Sequence, residues 1–375
     1  MPLSRSIYTA DEFELPRRAL FGLPGVFADS LPDSFGNRLV RKWMESHGID
    51  ISAITPLDRL AYVGTRGMGA LVYEPDIRQE QPKPTVLDMR KLVEEARLAL
   101  NADLSKMEGP DTLREIIRVG TSAGGAQAKA VVGWNRETDS FLAGDCDLPP
   151  GYEHWLIKFT PQGLPSAGEE EYAVYLKARA AGVEMSECRL YELDGVKHFM
   201  TRRFDRDGRR RHHVQTFRAI RALPPDVSLE MNSYGQLFET IVALGLGYDA
   251  RSEMFRRMAF NVYSDETDDH SKNFSFLMDR EGKWRLSPAY DLTYANDPNS
   301  NYINNHQCLI NGKFEGITIE DLLKVGIDSG LNKRKMDVII KEVKSAVRNW
   351  PSFAAQAEIP DNKALEDYAN FVLLD

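Results

Sequence analysis

The sequence is poor in cysteine, with only Cys146, Cys188 and Cys308 in 375 residues. Scattered and odd in number, they offer neither a disulfide framework nor the spacing of a zinc site, so a reducing cytoplasm is the expected setting. Long apolar runs are missing too. The opening stretch MPLSRSIYTADEFELPRRALFG has no signal-type apolar core, and no window nears the length needed to span a bilayer. Positive charge is in deficit: 47 Lys and Arg against 56 Asp and Glu leave a net charge of -9. Direct nucleic-acid binding by bulk electrostatics is therefore not expected. What remains is an ordinary globular composition, 42% hydrophobic, on a chain long enough for two or three domains with full cores.

Turn residues and hydrophobic periods divide the chain. Phe21-Gly22-Leu23-Pro24-Gly25 and Leu31-Pro32-Asp33-Ser34-Phe35-Gly36 are rich in turn formers, and Asn37 to His47 has helical spacing that stops at Gly48. Gly64 to Tyr73 reads as a glycine-relieved strand and Val86 to Leu104 as an amphipathic helix. Strands are expected at Ala130 to Trp134, at His154 to Phe159, and on either side of the Asp194-Gly195 turn between Glu192 and Arg206. A helix from Glu169 to Ala181, closed by Gly182, interrupts them. Arg206-Asp207-Gly208-Arg209 starts another hairpin, and the basic run Arg209 to His213 reads as a solvated face, with a partner or nucleic-acid contact as the alternative. Helical patterns then dominate at Tyr234 to Leu244, Ala250 to Tyr263, Ile319 to Val325 and Lys333 to Trp350. The fold class predicted is α+β and bilobal, a β-rich lobe before a helical one, with segments at 1–108, 109–225 and 226–375.

Chemistry concentrates in Asn261 to Asp291, NVYSDETDDHSKNFSFLMDREGKWRLSPAYD. Asp268 and Asn273 stand five apart. Phe274 to Met278 then reads as a strand, turned at Asp279-Arg280-Glu281-Gly282 and answered by Lys283 to Leu286, so that Asp291 returns beside Asp268 and Asn273. Transfer of a γ-phosphoryl group needs a carboxylate for the attacking hydroxyl and oxygen ligands for Mg²⁺, and Asp268, Asn273 and Asp291 repeat the order protein kinases use. His270 and Lys272 lie inside the loop, as braces or phosphate contacts. Alternatives are a solvated acidic loop and a metal hydrolase using Asp265, Asp268, Asp269 and His270, for which no second histidine cluster exists. Upstream, Val119 to Lys129 is a small-residue loop able to approach phosphate with backbone N–H groups, or simply a tight turn; it is not a Walker A sequence. Lys158 sits among apolar residues on a strand, where a kinase lysine touches nucleotide phosphates, and Glu170 or Glu171 is available as its helix partner.

These motifs together, Phe21 to Gly25 with Leu31-Pro32-Asp33, Ser122 to Lys129, Arg203-Phe204-Asp205-Arg206, Thr267 to Asn273 and Ser287 to Asp291, resemble the HipA family over essentially the whole chain and in the family's order. The resemblance implies a serine/threonine kinase acting as the toxin of a toxin–antitoxin pair, using ATP and Mg²⁺ and partnered with a HipB-like DNA-binding antitoxin. Characterised relatives phosphorylate aminoacyl-tRNA synthetases. By position it makes Asp268 the catalytic base, Asn273 and Asp291 the Mg²⁺ ligands, and Lys158 the ATP-phosphate lysine, with His270 and Lys272 in the catalytic loop. Ser122 matches an autophosphorylated serine, Ala123, Gly124 and Gly125 a phosphate-covering loop, and Arg203, Phe204 and Asp205 the segment bordering adenine and ribose. Arg202 stands where some relatives have an acidic residue. Full-length relatives carry more β-structure before the Leu-Pro-Gly segment, which implies a split toxin completed by a small HipS-like protein, or a truncated form. A small-molecule phosphotransferase and a non-catalytic co-repressor are the competing functions.

Overall fold

The computed structural model describes residues 20–77, 83–100, 114–120, 127–223, 232–294 and 304–371. They fold as two compact units. One consists of Asp29–Gly168 with Glu187–Val214, the other of the described parts of Met1–Ala28, Glu169–Ser186 and Gln215–Asp375. The class is α+β.

In the first of these units an antiparallel sheet forms where β-branched and aromatic residues concentrate. Its strands are β1 (Lys129–Asn135), β2 (Ser140–Ala143), β3 (Glu153–Lys158), β4 (Cys188–Leu193) and β5 (Val196–Arg202), in the order β2-β1-β3-β5-β4. β1 is buried along all but its last residue, as a central strand covered on both faces must be. Asp194 and Gly195 both take positive φ, 52° and 78°, the requirement of a tight hairpin turn, and they set the β4–β5 register with Leu193 opposite Val196. Helices Ser34–Ser46 and Met89–Leu100 bury Phe35, Leu39, Leu92 and Ala96 in one core with Val131, Trp155 and Phe159. Each such large side chain contributes roughly 1.5–3 kcal/mol.

The strand expected at Gly64 to Tyr73 is not formed. Helix Pro56–Val63 ends at Gly64, and residues 65–73 are irregular because guanidinium groups take their carbonyls. Arg206 Nη1 and Nη2 donate to the carbonyls of Gly69 (2.8 Å) and Gly67 (2.9 Å), and Arg211 Nη1 donates to that of Thr65 (2.8 Å). The Gly69 N–H donates to Asp205 at 2.8 Å. The basic run is thus only partly a solvated face, since Arg211 holds this loop and His213 is buried. Around Gly208, β6 (Arg206–Asp207) and β7 (Arg210–Arg211) make the predicted hairpin.

The helical unit is built around Tyr248–Tyr263, which from Met254 onward is buried at every residue but Arg256 and therefore central. Helix Lys333–Arg348 lies against it through Met336, Ile339, Ile340 and Val343, a three-and-four spacing that makes one apolar stripe. The helix expected from Lys333 to Trp350 ends at Arg348, and a separate helix, Trp350–Gln356, follows with Pro351 in its first turn. The Leu-Pro-Gly segment has a packing role: a Cβ on Gly25 would meet the Ala219 carbonyl oxygen at 2.0 Å. β8 (His213–Thr216), β9 (Ser275–Met278) and β10 (Trp284–Leu286) form a small sheet in the order β10-β9-β8, with Met278 opposite Trp284 across the predicted turn. Among the described residues no helix is long and apolar enough to cross a membrane.

Candidate active site

The central helix stops at Ser264, Asp265 turns the chain at φ 53°, and the acidic loop begins. A local network then shapes it. The Glu266 N–H donates to the Asn261 carbonyl at 2.9 Å, the Asn273 N–H to that of His270 at 2.9 Å, and Asn273 Nδ2 to that of Asp268 at 2.8 Å. From the far side of the β9–β10 hairpin, the Tyr290 hydroxyl donates to the Lys272 carbonyl at 2.5 Å. Arg257, buried in the central helix, holds the Ser287 carbonyl at 2.9 Å. The hairpin's return is therefore pinned at both ends, and Asp268, Asn273 and Asp291 line one small cavity. Asp291 itself has φ 55°, a left-handed conformation that aspartate tolerates better than most residues.

Asp269, beside the candidate base, has a different task. It is buried, and its Oδ1 accepts the N–H groups of Gln307 (2.7 Å) and Cys308 (3.1 Å), while Oδ2 accepts the Tyr234 hydroxyl (3.0 Å) and contacts His306 Nδ1 (3.1 Å). Burial pulls the His306 pKa down, but Asp269 more than offsets this and leaves it above the ordinary value. The polar stretch Asn296 to Asn311 lies partly outside the described residues; its described part anchors the loop through Asp269.

Asp268 is partly exposed, 41% for its side chain. His270 Nε2 stands 4.0 Å from Asp268 Oδ1, beyond hydrogen-bond distance. Lys272 is half-buried, and its carbonyl serves the Tyr290 tether. Because the Asn273 amide donor is spent on Asp268, Oδ1 is the atom it offers a cation. With the Asp291 carboxylate this is a hard oxygen pair suited to Mg²⁺, which keeps waters for its other positions. Among the described residues no group of three or more His, Cys, Asp or Glu is arranged to hold a metal.

In the sheet-bearing unit Lys158 is buried at the end of β3, its ammonium 5.7 Å from the Phe199 ring centroid. Register puts Lys129 directly opposite Lys158, so two buried lysines share one face of the sheet. Arg203 and Asp205 are buried and bind each other, Nε at 2.9 Å and Nη2 at 2.7 Å. Although burial pushes the Asp205 carboxyl up, Arg203 and Arg206 hold it well below the usual range. Phe204 between them is half-buried, and Arg202 pairs with Glu153 at 3.2 Å. Glu170 has its pKa raised, chiefly by burial, in the field of Lys363 of its own unit, and Glu171 is buried. Ser122, Ala123, Gly124 and Gly125 lie outside the described residues.

Sequence reasoning missed Glu266, Tyr290 and the anchoring role of Asp269. The only signal was an acid two residues before Asp268 and another directly after it.

Over most of its length the chain matches known protein families. Residues 121–350 match the HipA-like C-terminal domain, and residues 1–74 the HipA N-terminal domain. The protein Y4dM of Sinorhizobium fredii, provisionally named a kinase, is 26% identical over 150 residues, 37% of this chain and 36% of its own length. The match thus spans about a third of that relative. Among solved structures, HipA of Shewanella oneidensis MR-1, determined in complex with HipB and operator DNA, aligns with a TM-score of 0.63 and 17% identity over 92% of this chain and 82% of that one. The fold is shared, and the C-terminal domain match alone covers more than half of the sequence, so the chain belongs to the HipA family.

Proposed function

We propose that the chain is an ATP-dependent serine/threonine protein kinase, the toxin of a toxin–antitoxin pair acting in the cytoplasm. The observation that carries this is the cavity lined jointly by Asp268, Asn273 and Asp291, with the Asn273 amide turned by its bond to the Asp268 carbonyl. In this reading Asp268 accepts the proton of a substrate hydroxyl as its oxygen bonds to the γ-phosphorus and the bond to the β-phosphate oxygen breaks, releasing ADP. Asn273 Oδ1 and Asp291 would hold Mg²⁺, whose charge would offset that of the phosphates. Lys158 is the proposed ATP-phosphate lysine, and the backbone of Arg203 to Asp205 is proposed for adenine and ribose, since the Arg203 and Asp205 side chains are committed to each other. His270 and Lys272 assist from within the loop.

The Shewanella HipA was solved with HipB and operator DNA, and a HipB-like antitoxin is the partner proposed here, with a HipS-like protein as a further one. An aminoacyl-tRNA synthetase is the proposed substrate. Ser122 is the proposed site of inactivating autophosphorylation. Mass spectrometry of the full chain after incubation with Mg²⁺-ATP, beside Asp268→Ala, tests the reading. Phosphate on wild type and none on the variant is expected; equal phosphate on both, or ATP binding without transfer to the chain or to any synthetase supplied, overturns it.

A further inference from the structure

Glu266 lies two residues before Asp268, buried to 1% exposure, and it lines the cavity with Asp268, Asn273 and Asp291. Both its carboxylate oxygens are engaged. Oε1 accepts the Asp268 N–H at 3.0 Å. Oε2 accepts the Thr293 N–H at 2.5 Å and the Thr293 hydroxyl at 3.1 Å. One side chain therefore spans two segments separated by the whole β9–β10 hairpin: the peptide of the candidate base, and the peptide two residues beyond the candidate metal ligand Asp291.

We infer that Glu266 is a positioning residue that sets the spacing between Asp268 and Asp291 by tying the backbones of Asp268 and Thr293 to one carboxylate. It is neither a base nor a metal ligand, because its lone pairs face peptide and hydroxyl donors. A carboxyl group suits the task, since its two oxygens reach donors on two different segments, Asp268 on one side and Thr293 on the other. Further ties across the site run from Tyr290 to Lys272 and from Arg257 to Ser287. They fix the approach of the hairpin, whereas Glu266 acts on the two residues that must meet phosphate and metal together. Rates in phosphoryl transfer depend on that spacing, and a displacement of about 1 Å costs on the order of a hundredfold.

This role rests on the kinase reading above, so its test carries one readout that does not. Full-length wild type, Glu266→Ala, Glu266→Gln and the blank Asp268→Ala are compared by Mg²⁺-ATP turnover and by amide hydrogen exchange. Glu266→Ala is expected to keep protection in the Tyr248–Tyr263 and Lys333–Arg348 helices but to exchange faster at both 266–270 and 291–294. Its kcat is expected to fall about a hundredfold with KM for ATP within about twofold. Glu266→Gln keeps one acceptor and should recover kcat to within about tenfold of wild type. Faster exchange in only one of the two segments, or a wild-type kcat in the alanine variant, overturns the inference. Should the alanine variant unfold, the glutamine variant, equal in volume, is judged by the same paired exchange. Should wild type transfer no phosphate above the blank, the kinase reading fails and the exchange pattern alone decides whether Glu266 is the tie.

Discussion

Lys177 is fully buried, its ammonium 3.9 Å from the ring centroid of Phe371 and 4.8 Å from that of Trp350, with no hydrogen-bond acceptor. Burial lowers its pKa from 10.5 to about 7, against the partial support of Glu266, Asp367 and Asp265. At about 1.4 kcal/mol per pH unit, holding the charged form inside the fold costs on the order of 5 kcal/mol, and contact with the aromatic faces returns about 2 kcal/mol of that. Lys177→Met, which keeps the volume and removes the charge, is therefore expected to stabilise the protein by about 3 kcal/mol at pH 6.5. The pH dependence follows from the sign. Between pH 7 and 10.5 the unfolded chain binds the proton that the folded chain has lost, so wild-type stability rises with pH in that window relative to the variant. Urea unfolding of both proteins at pH 6.5 and 9.5 is the assay. A variant less stable than wild type at pH 6.5, or a gap that does not narrow at pH 9.5, refutes the reasoning and shows that the aromatic box holds the cation at no net cost.

Asp269→Ala orphans four donors in a buried site and should cost at least about 4 kcal/mol in urea unfolding. His306 adds a pH term to the same network: its folded pKa is raised, so its stabilisation is complete below about pH 6.5 and fades as pH rises through the folded value, and His306→Gln should remove that slope. Asp205→Asn leaves two buried guanidinium groups without their counter-charge and is expected to cost roughly 3–5 kcal/mol, seen as a lower urea midpoint.

Local signals in the sequence carried far where the governing physics is local. Asp194-Gly195 specified a hairpin because only residues tolerant of positive φ close such a turn, and the same logic located the turn at Asp279 to Gly282 and with it the return of Asp291. Periodicity located the helices it named to within a few residues but named none at Pro56–Val63 or Asp361–Asn370, and it failed at Gly64 to Tyr73, where apolar and glycine residues suggested a strand but distant arginines claimed the carbonyls. In the candidate site, the order Asp268, Asn273, Asp291 was legible, since each is defined by its own chemistry and by a short hairpin. The partners that hold them were not. Glu266 acquires meaning only when Thr293 is folded back beside it, Asp269 only when residues 306–308 arrive, and Lys177 only when Phe371 closes over it from the far end of the chain. By itself the sequence determined which groups can act and which turns bring them round, because these depend on side-chain chemistry and backbone torsion; tertiary structure decided which acids are buried, paired and made into scaffolding, because desolvation and long-range hydrogen bonds exist only once the chain is packed.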